Sequence, residues 1–455
     1  MAAGLERIRD EAGVPERFPP EVEAAAQAAV ARPIGRDHRD RTDRRFVTLD
    51  PASSIDLDQA LSIDPPAGGD ADIVLHYAIA DVGWFVAPGD ALDVEAFRRG
   101  VTIYLPDGRA TLYPPVLSEG AASLLPDVDR PAVVFTVKVA ADGTSRIDGV
   151  ERALVRNRAK LAYDSVSSAD LPDGFDELFR RVTTAERERG ASRVEFPEQV
   201  VDRKADGSYA LRFRPRLKSE EQNAAMSLAT NLAVADVLLP ARTGLFRVMA
   251  DVDDRHIRRL RNTAKAFGLE WPASLALDEF ERSLPRDDAR TSAFLLAMRR
   301  AAGGASYEPY RPDTRPWHSA MAATYAQATA PLRRLQDRYV IEAALAVANG
   351  RAVAADISEA FERLPAAMAK AEQRANRVER LALDLAEAVV LQGRHGEIFV
   401  ATVVDEDEHG ADIQLVDPAV VAKVSAHHVD PGDTVRVRLV EADVAAGNVT
   451  FERVA

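Results

Sequence analysis

The stretch FVTLDPASSIDLDQAL, residues 46–61, places three aspartates around a turn. A short apolar run ends at Asp50, the segment PASS follows, and one leucine separates Asp56 from Asp58. Alternate side chains of an extended chain share a face, so we expect Asp56 and Asp58 to point the same way, with the turn returning them beside Asp50. Three carboxylates this close repel one another unless a cation or a proton neutralises them. The stretch therefore predicts an oxygen-ligand site suited to Mg²⁺, with a solvated polar turn as the plain alternative.

The composition excludes several classes of site. The chain has 455 residues, of which 47% are hydrophobic, enough for two or three domains. It has no cysteine, which excludes disulfides, thiolate metal sites and a cysteine nucleophile. No apolar run reaches the ~20 residues that span a bilayer, and the first residues contain no signal-peptide core, so we expect a cytoplasmic protein without membrane contact.

The charge of the chain points two ways. The formal net charge is −14, which argues mildly against a nucleic-acid partner. The basic residues, however, are seven lysines and 51 arginines, and arginine binds phosphate with a planar fork and stacks on bases. A G+C-rich genome would produce the same excess of arginine, so charge alone does not identify the partner.

The apolar pattern predicts an α+β chain of several domains. Residues 1–45 are predicted to form a small helical unit with an arginine-rich end, which is either a linker or part of a helix-turn-helix-like unit. Residues 46–160 are predicted to be mostly strands, with a hairpin turn at Asp142-Gly143.

The rest of the chain is predicted to be helical before a final block of strands. Ser219 is a candidate N-cap for the first of these helices, and residues 356–392 are predicted to form one long helix. Residues 393–455 alternate as five short strands, which is typical of an OB-type β-barrel. That block has five basic and twelve acidic residues, so any phosphate-binding surface on it has to be local.

The aspartate stretch resembles the signature of the ribonuclease II (RNB) family of exoribonucleases. That signature is an Asp, a turn and then Asp-x-Asp-Asp-Ala-Leu; Asp50, Asp56, Asp58 and the final Ala-Leu match it. The chain departs from the signature at the fourth acidic position, which is Gln59. The resemblance implies that Asp50, Asp56 and Asp58 bind metal, with Gln59 as a further candidate ligand, and that Asp58 is also catalytic.

Two aromatic residues extend the resemblance. Tyr104 begins a Tyr-Leu-Pro after an Arg-Gly, the family position of an aromatic near the scissile end of the RNA. Phe196 matches a family aromatic that stacks on terminal bases. Base–aromatic stacking is worth ~1–3 kcal/mol per base and tolerates any sequence. The plain alternative for either ring is a place in the core.

A further segment, residues 317–340, resembles the family pattern Tyr-(x)3-Thr-x-Pro-(Ile/Leu)-Arg-(x)3-Asp. The match implies that Tyr325 and Thr329 contact the substrate and that Arg333 is catalytic. We expect Pro331 to open the following helix and Arg333 to lie in its first turn. A guanidinium there can bind the negative charge that phosphoryl transfer builds.

The predicted long helix contains the segment NRVER, which resembles the family segment with a catalytic glutamate. The match points to Glu379. It requires a one-residue gap, so Glu372 or a salt-bridged helix surface stays an alternative.

The resemblance implies a domain order. Residues 46–392 resemble an RNB catalytic domain, a mixed sheet with long helices, and residues 393–455 an RNA-binding OB domain of the S-one type. Residues 1–45 do not resemble the family's usual N-terminal cold-shock pair.

The implied activity is that of a monomeric, processive 3′→5′ hydrolase. It would degrade single-stranded RNA to nucleoside 5′-monophosphates with Mg²⁺, or with Mn²⁺. One rival interpretation is a catalytically inactive RNA-binding relative, since Gln59 replaces an acidic ligand. The other is a regulatory protein whose acidic barrel binds a protein partner.

Overall fold

The computed structural model describes residues 1–35, 37–191, 198–204, 207–285, 289–301, 303–407, 410–415, 417–425, 429 and 432–454. The helices are α1 (Ala2–Ala12), α2 (Pro20–Val30), α3 (Val82–Phe85), α4 (Ala91–Arg99), α5 (Phe175–Glu188), α6 (Lys218–Leu238), α7 (Asp254–Ala266), α8 (Leu277–Ser283), α9 (Ala289–Ala301), α10 (Leu335–Ala348) and α11 (Ala355–Leu391), with a π-helical segment at Leu117–Ala121. The strands are β1 (Arg39–Asp40), β2 (Phe46–Asp50), β3 (Gln59–Asp64), β4 (Ile73–Ala80), β5 (Ile103–Leu105), β6 (Gly108–Ala110), β7 (Asp129–Val139), β8 (Ser145–Ala162), β9 (Glu198–Arg203), β10 (Tyr209–Arg214), β11 (Leu245–Val248), β12 (Ser306–Pro309), β13 (Ile398–Asp407), β14 (Gly410–Leu415), β15 (Val421–Val424), β16 (Thr434–Asp443) and β17 (Asn448–Val454).

A mixed six-stranded sheet forms the centre of the molecule, in the order β1-β8-β2-β3-β4-β7. The long strand β8 runs parallel to β2 and antiparallel to β7, so it joins the two ends of the sheet. The predicted hairpin between β7 and β8 is confirmed, and Gly143 takes the positive φ of 80° that its turn requires.

Helices α6 and α10 cover the sheet and share its hydrophobic core. The predicted N-cap of α6 is wrong, because the helix begins after Leu217. The hydroxyl of Ser219 instead donates to the carbonyl oxygen of Tyr163 (2.7 Å), and Glu220 accepts the Leu217 N–H (2.7 Å). The Ser219 bond fixes the start of α6 against the residue that follows β8, and the Glu220 bond caps the first turn of the helix.

The two N-terminal helices contribute to cores that they share with other elements. Leu5 and Ile8 of α1 pack against α11, whereas Val22 and Ala26 of α2 pack into the central core. Both helices are therefore tied to the rest of the chain, and a domain boundary at residue 45 stays a prediction.

The predicted long helix and C-terminal barrel are confirmed. α11 has 37 residues, and its last turns pack into the core of a closed five-stranded barrel with the order β13-β14-β15-β17-β16. At this joint Glu387 of α11 accepts the Nε2–H of Gln199 (2.7 Å) and the backbone N–H of Val421 (2.9 Å). Within the described part of the chain, no helix combines the length and apolar character needed to cross a bilayer.

Candidate active site

The predicted turn folds back as expected. β2 ends at Asp50, and β3 begins at Gln59 and pairs antiparallel with β2, which returns the chain to its starting point. Lys160 holds the turn, because its Nζ donates to the carbonyl oxygens of Ala52 (2.7 Å) and Ser54 (2.5 Å). The aspartates on either side of the turn are therefore fixed by the sheet and by β8.

A cavity of about 630 Å³ lies beside this turn, bounded also by the β5–β6 hairpin, α6 and the loop before α10. The sequence-predicted residues that line it are Asp50, Asp56, Asp58, Gln59, Tyr104, Tyr325, Thr329 and Arg333. Polar lining residues that the sequence analysis did not identify include Tyr163, Glu220, Asn223, Ser227, Asn231 and Arg334.

Asp58 is the most deeply buried of the three aspartates. Its Oδ1 accepts the backbone N–H of Leu332 (2.7 Å), and its Oδ2 accepts the Nε–H of Arg333 (3.2 Å). Burial raises the pKa of Asp58 to about 7, although Arg333 and the Leu332 N–H act in the opposite direction. A positive charge in the cavity would therefore stabilise its ionised form.

Asp50 lies opposite, at the end of β2. Burial raises the pKa of Asp50 to about 6, opposed by the positive charges of Arg333 and Lys160 and reinforced by Asp56. Two neighbouring carboxyl groups thus titrate near neutral pH for the same physical reason.

Asp56 is engaged differently. The hydroxyl of Tyr104 donates to its Oδ2 (2.9 Å), and Nη1 of Arg109 donates to its Oδ1 (2.8 Å). Arg109 also donates from Nε to Glu119 (2.7 Å). Sequence reasoning missed Arg109 and Glu119, because Arg109 meets Asp56 across 53 positions and no local pattern joins the two.

Gln59 has both ends of its amide bonded within the protein. Its Oε1 accepts the hydroxyl of Tyr77 (3.0 Å), and its Nε2 donates to the carbonyl oxygen of Thr329. Thr329 and Tyr325 are in turn fixed by Asn231, whose Nδ2 donates to the Tyr325 hydroxyl (3.0 Å) and to the Thr329 hydroxyl (3.5 Å). These contacts join β3, α6 and the segment around residue 329 into one wall.

The loop before α10 differs from the sequence expectation. Arg334 is the N-cap of α10, so Pro331 does not open the helix and Arg333 lies outside it. The cause is Asp337, whose carboxylate accepts the Ala330 N–H (2.7 Å) and two N–H groups of Arg334 (3.0 and 2.6 Å). This clamp holds a turn that points Arg333 at Asp58.

Glu379 and its alternative Glu372 do not line the cavity. Glu379 lies on the exposed face of α11 and does not line the cavity, and Glu372 pairs with Arg247 (2.8 Å). Phe196 lies outside the described residues. A catalytic role for Glu379 therefore has no contact at the cavity to support it.

The donor set fits a divalent cation held by few protein ligands. Nowhere in the described ranges are three acidic or imidazole side chains arranged to hold an ion by themselves. Asp50 and Asp58 line the cavity with raised pKa values, and a cation would offset the cost of their charges. Ions of the Mg²⁺ type fit such a site, because they combine one or two carboxylates with waters and a substrate phosphate.

Known proteins match both the fold and the order of the segments. The family model described as the RNB domain matches residues 38–348, and that of the RNase II-type exonuclease C-terminal S1 domain matches residues 397–454. Ribonuclease R of Aquifex aeolicus is 24% identical over 486 residues, covering 96% of this chain and 68% of the relative. Exoribonuclease 2 of Enterobacter sp. is 28% identical over 417 residues, covering 86% and 63%. The chain thus spans about two thirds of the length of these curated relatives.

Solved structures share the fold. RNase R of Mycoplasma genitalium, in complex with ribose methylated single-stranded RNA, matches with a TM-score of 0.88 at 17% identity, covering 100% of this chain and 78% of that one. Yeast Ssd1, a pseudonuclease, matches with a TM-score of 0.66 at 16% identity, covering 89% and 53%. Since the RNB model matches more than half of the sequence, in the same residues that build the sheet and the cavity, the chain belongs to the RNB family and ends in an S1-type domain.

Proposed function

We propose that this chain is a hydrolytic exoribonuclease that degrades single-stranded RNA processively from the 3′ end and releases nucleoside 5′-monophosphates, with Mg²⁺ as its cofactor. The observation that carries the proposal is the pairing of Asp58 with Arg333 in one cavity that also contains Asp50, Asp56 and Tyr104. The names of the curated relatives, Ribonuclease R and Exoribonuclease 2, support the activity. The RNA-bound structural neighbour supports the substrate class.

Asp50 and Asp58 would hold the cation. Their burial makes each ionised carboxylate costly without a positive partner, and Arg333 alone does not restore either pKa to its ordinary value. When bound, a divalent cation neutralises charge on the phosphate and lowers the pKa of the attacking water. Mn²⁺ would suit the same ligands and is the alternative cofactor.

Arg333 would bind the phosphate under attack. Its Nε is bonded to Asp58, and its side chain is 44% exposed at the cavity. The two terminal nitrogens can therefore donate in parallel to non-bridging phosphate oxygens, as the fork of a guanidinium allows. Asp58 would set the angle of that fork.

Tyr104 would contact the terminal base. The residue is 51% exposed, and its hydroxyl is fixed by Asp56, so one end of the ring is anchored beside the carboxylates. Stacking on such a ring holds a strand without reading its sequence. Phe196 stays a sequence-based candidate for a second stacking ring.

The inactive alternative assumes that Gln59 removes an essential ligand. The amide of Gln59 instead holds the wall by bonding Tyr77 and Thr329. Asp50 and Asp58 still line the cavity. This arrangement favours an active enzyme over an inactive relative.

The deciding experiment follows an oligoribonucleotide labelled on its internal phosphates, with Mg²⁺, Mn²⁺ or EDTA, in the presence of excess unlabelled competitor. We expect release of nucleoside 5′-monophosphates without accumulation of intermediate lengths, loss of the reaction with EDTA, and no reaction on the matched oligodeoxyribonucleotide. RNA binding without shortening at any cation concentration would establish the inactive alternative. Neither binding nor shortening would favour the regulatory protein.

A further inference from the structure

Two adjacent side chains, where β3 begins, hold the loop before α10 with opposite polarity. The carboxylate of Asp58 accepts the backbone N–H of Leu332 (2.7 Å). The amide Nε2 of Gln59 instead donates to the backbone carbonyl oxygen of Thr329. At position 59 the loop therefore requires a donor, which an ionised carboxylate cannot supply.

The contacts of Gln59 also fix which end of its amide is which. The Thr329 carbonyl oxygen can only accept a hydrogen bond, so it must face Nε2. On the other side, the hydroxyl of Tyr77 donates to Oε1 of Gln59 (3.0 Å). That bond uses the single proton of Tyr77, so Ser227 supplies the proton in the bond between the two hydroxyls (2.9 Å). Donors and acceptors therefore match on both sides of the amide.

The Thr329 carbonyl cannot find another donor by rotating. It shares one planar peptide group with the N–H of Ala330, which the carboxylate of Asp337 accepts (2.7 Å). Rotation of the carbonyl would therefore take that N–H away from its partner. Thr329 is 2% exposed, so water has little access to it either. Loss of the Gln59 donor would leave a buried acceptor unsatisfied, which is costly.

This peptide group lies at the base of the turn that presents Arg333. The carbonyl oxygen of Ala330 accepts the backbone N–H groups of Arg333 (3.3 Å) and Arg334 (2.9 Å), which closes the turn. The Nε of Arg333 is bonded to Asp58 (3.2 Å). Displacement of the peptide group that Gln59 holds would therefore move Arg333 relative to Asp58 and to the cavity.

We propose that Gln59 is a positioning residue whose amide N–H fixes the Thr329 carbonyl and, through it, the turn that presents Arg333 to the substrate phosphate. The aspartate that the family signature has at this position would face a carbonyl oxygen with no proton to donate. Restoring the signature at position 59 should therefore lower activity in this chain. The consequence for turnover rests on the proposed function, whereas the consequence for the turn does not.

The first test compares Gln59→Glu, Gln59→Asp and Gln59→Met at saturating Mg²⁺, so that cation affinity does not decide the result. Glutamate keeps the shape of glutamine but replaces the donor by an acceptor, and we expect the RNA turnover number of Gln59→Glu to fall at least about tenfold. RNA affinity should change little, since stacking and phosphate contacts supply most binding. Gln59→Asp should also lose turnover, and Gln59→Met, which adds no repelling charge, should lose less. Turnover in either acidic variant equal to or above that of the wild type would overturn the proposal.

Gln222→Glu is the matched control. Gln222 is buried on α6, and its Nε2 donates to Oδ1 of Asp176 (2.5 Å), so an acid there also removes a donor that its partner requires. Neither of these two residues lines the cavity. We expect this variant to be less stable than the wild type but to keep its turnover. If it loses as much turnover as Gln59→Glu, general destabilisation explains both losses and the proposal is wrong.

A double-mutant cycle tests the route through Arg333. If Gln59 acts by placing that guanidinium, Gln59→Met should add little to Arg333→Lys. We then expect the turnover of the double variant to stay within about twofold of that of Arg333→Lys alone. Independent roles would multiply the two losses, and that result would contradict the proposal. The cycle uses the uncharged variant, so it remains available even if the acidic variants do not fold.

Hydrogen exchange of the turn provides a readout without RNA. We expect the backbone N–H groups of residues 330–333 to exchange at least about tenfold faster in Gln59→Met than in the wild type, with no change there in Gln222→Glu. Unchanged exchange in Gln59→Met would mean that the two carboxylates hold the turn alone, against the proposal. If exchange responds as expected but the wild type does not shorten RNA, the proposed function fails while the role of Gln59 stands.

Discussion

Burial acts alike on two carboxyl groups in different regions, Asp58 in the cavity and Glu387 at the joint between α11 and the barrel. It raises the pKa of each to about 7. Their partners differ: Asp58 accepts from the guanidinium of Arg333, whereas Glu387 accepts from two neutral donors, the Gln199 amide and the Val421 N–H.

A raised pKa accompanies different roles at these two carboxyl groups. Glu387 can remain protonated and still accept its bonds, so it can serve as a docking group between two structural units. Asp58 lies between the guanidinium of Arg333 and an open cavity, where a bound cation would favour its ionised form. A perturbed carboxyl is therefore a candidate for chemistry when its partner is charged and solvent or substrate can reach it, and a packing group when neither holds.

Removing the charge of Asp58 should lower activity most, whereas the same change at Glu387 should not lower it. We expect Asp58→Asn to lower the RNA turnover number by about a hundredfold or more, since it removes a charge that holds the cation. RNA affinity should stay close to that of the wild type, because phosphate and stacking contacts supply most binding. Glu387→Gln, an equally conservative change at a buried carboxyl, is the control and should retain turnover. Equal turnover in Asp58→Asn and the wild type would remove Asp58 from the chemistry.

The charged partner can be tested in the same way. We expect Arg333→Lys to lower turnover by about tenfold to a hundredfold, because an ammonium cannot fork around a phosphate. Arg311 is a suitable control, since it forms an exposed two-pronged pair with Glu362, and Arg311→Lys should leave turnover unchanged. Wild-type rates in Arg333→Lys would show that Asp58 needs only a positive charge nearby.

Cation binding should depend on pH because Asp50 and Asp58 retain protons. Their pKa values, about 6 and about 7, lie above the ordinary 3.8, so the folded protein holds protons that the unfolded chain has released. In the absence of a cation, the contribution of these two groups to the stability of the folded protein therefore falls as the pH rises from about 4 to 7. Cation binding must displace the protons. We expect Mg²⁺ to raise the melting temperature more at about pH 8 than at about pH 5.5. An equal shift at both pH values would contradict the assignment, and Asp58→Asn should reduce the difference.

A small change in melting temperature is expected at Glu387, where α11 meets the barrel. Above its raised pKa, Glu387 carries a buried charge between neutral partners, and the Glu387→Gln variant avoids that cost. We expect the variant to melt about 2 °C above the wild type at about pH 8 and at the same temperature at about pH 5.5, where the wild-type carboxyl is protonated. A variant with a lower melting temperature than the wild type at both pH values would mean that the second oxygen of Glu387 has an essential partner.

Local patterns in the sequence predicted much of this molecule. The aspartate turn, the β7–β8 hairpin, α11 and the barrel follow from periodicity and turn residues that lie close together in the chain. The alignment of Arg333 with the cavity came from the family resemblance, and the structure adds the Asp337 clamp that places it.

The remaining features depend on contacts between distant segments. Arg109 meets Asp56 across 53 positions, and Asn231 meets Tyr325 across 94, and neither pair has a local signature. The start of α10 was placed too early because a proline is a common first helical residue, and a carboxylate four residues after Arg333 outweighed that preference. Burial of Asp58 arises from the whole fold and could not be inferred from spacing.

The 37 residues of α11 span about 55 Å. The helix is held at two points: Glu372 pairs with Arg247, and Glu387 accepts the N–H of Val421 in the barrel. Each residue of an α-helix adds about 1.5 Å of length and about 100° of rotation. One residue inserted between these two points would rotate Glu387 and the barrel together by about 100° around the helix axis, away from Gln199 of β9. Insertion of three or four residues would nearly restore the angle while carrying the barrel about 5 Å further out. The length of this helix can therefore change only by whole turns if the barrel is to keep its orientation around the helix axis.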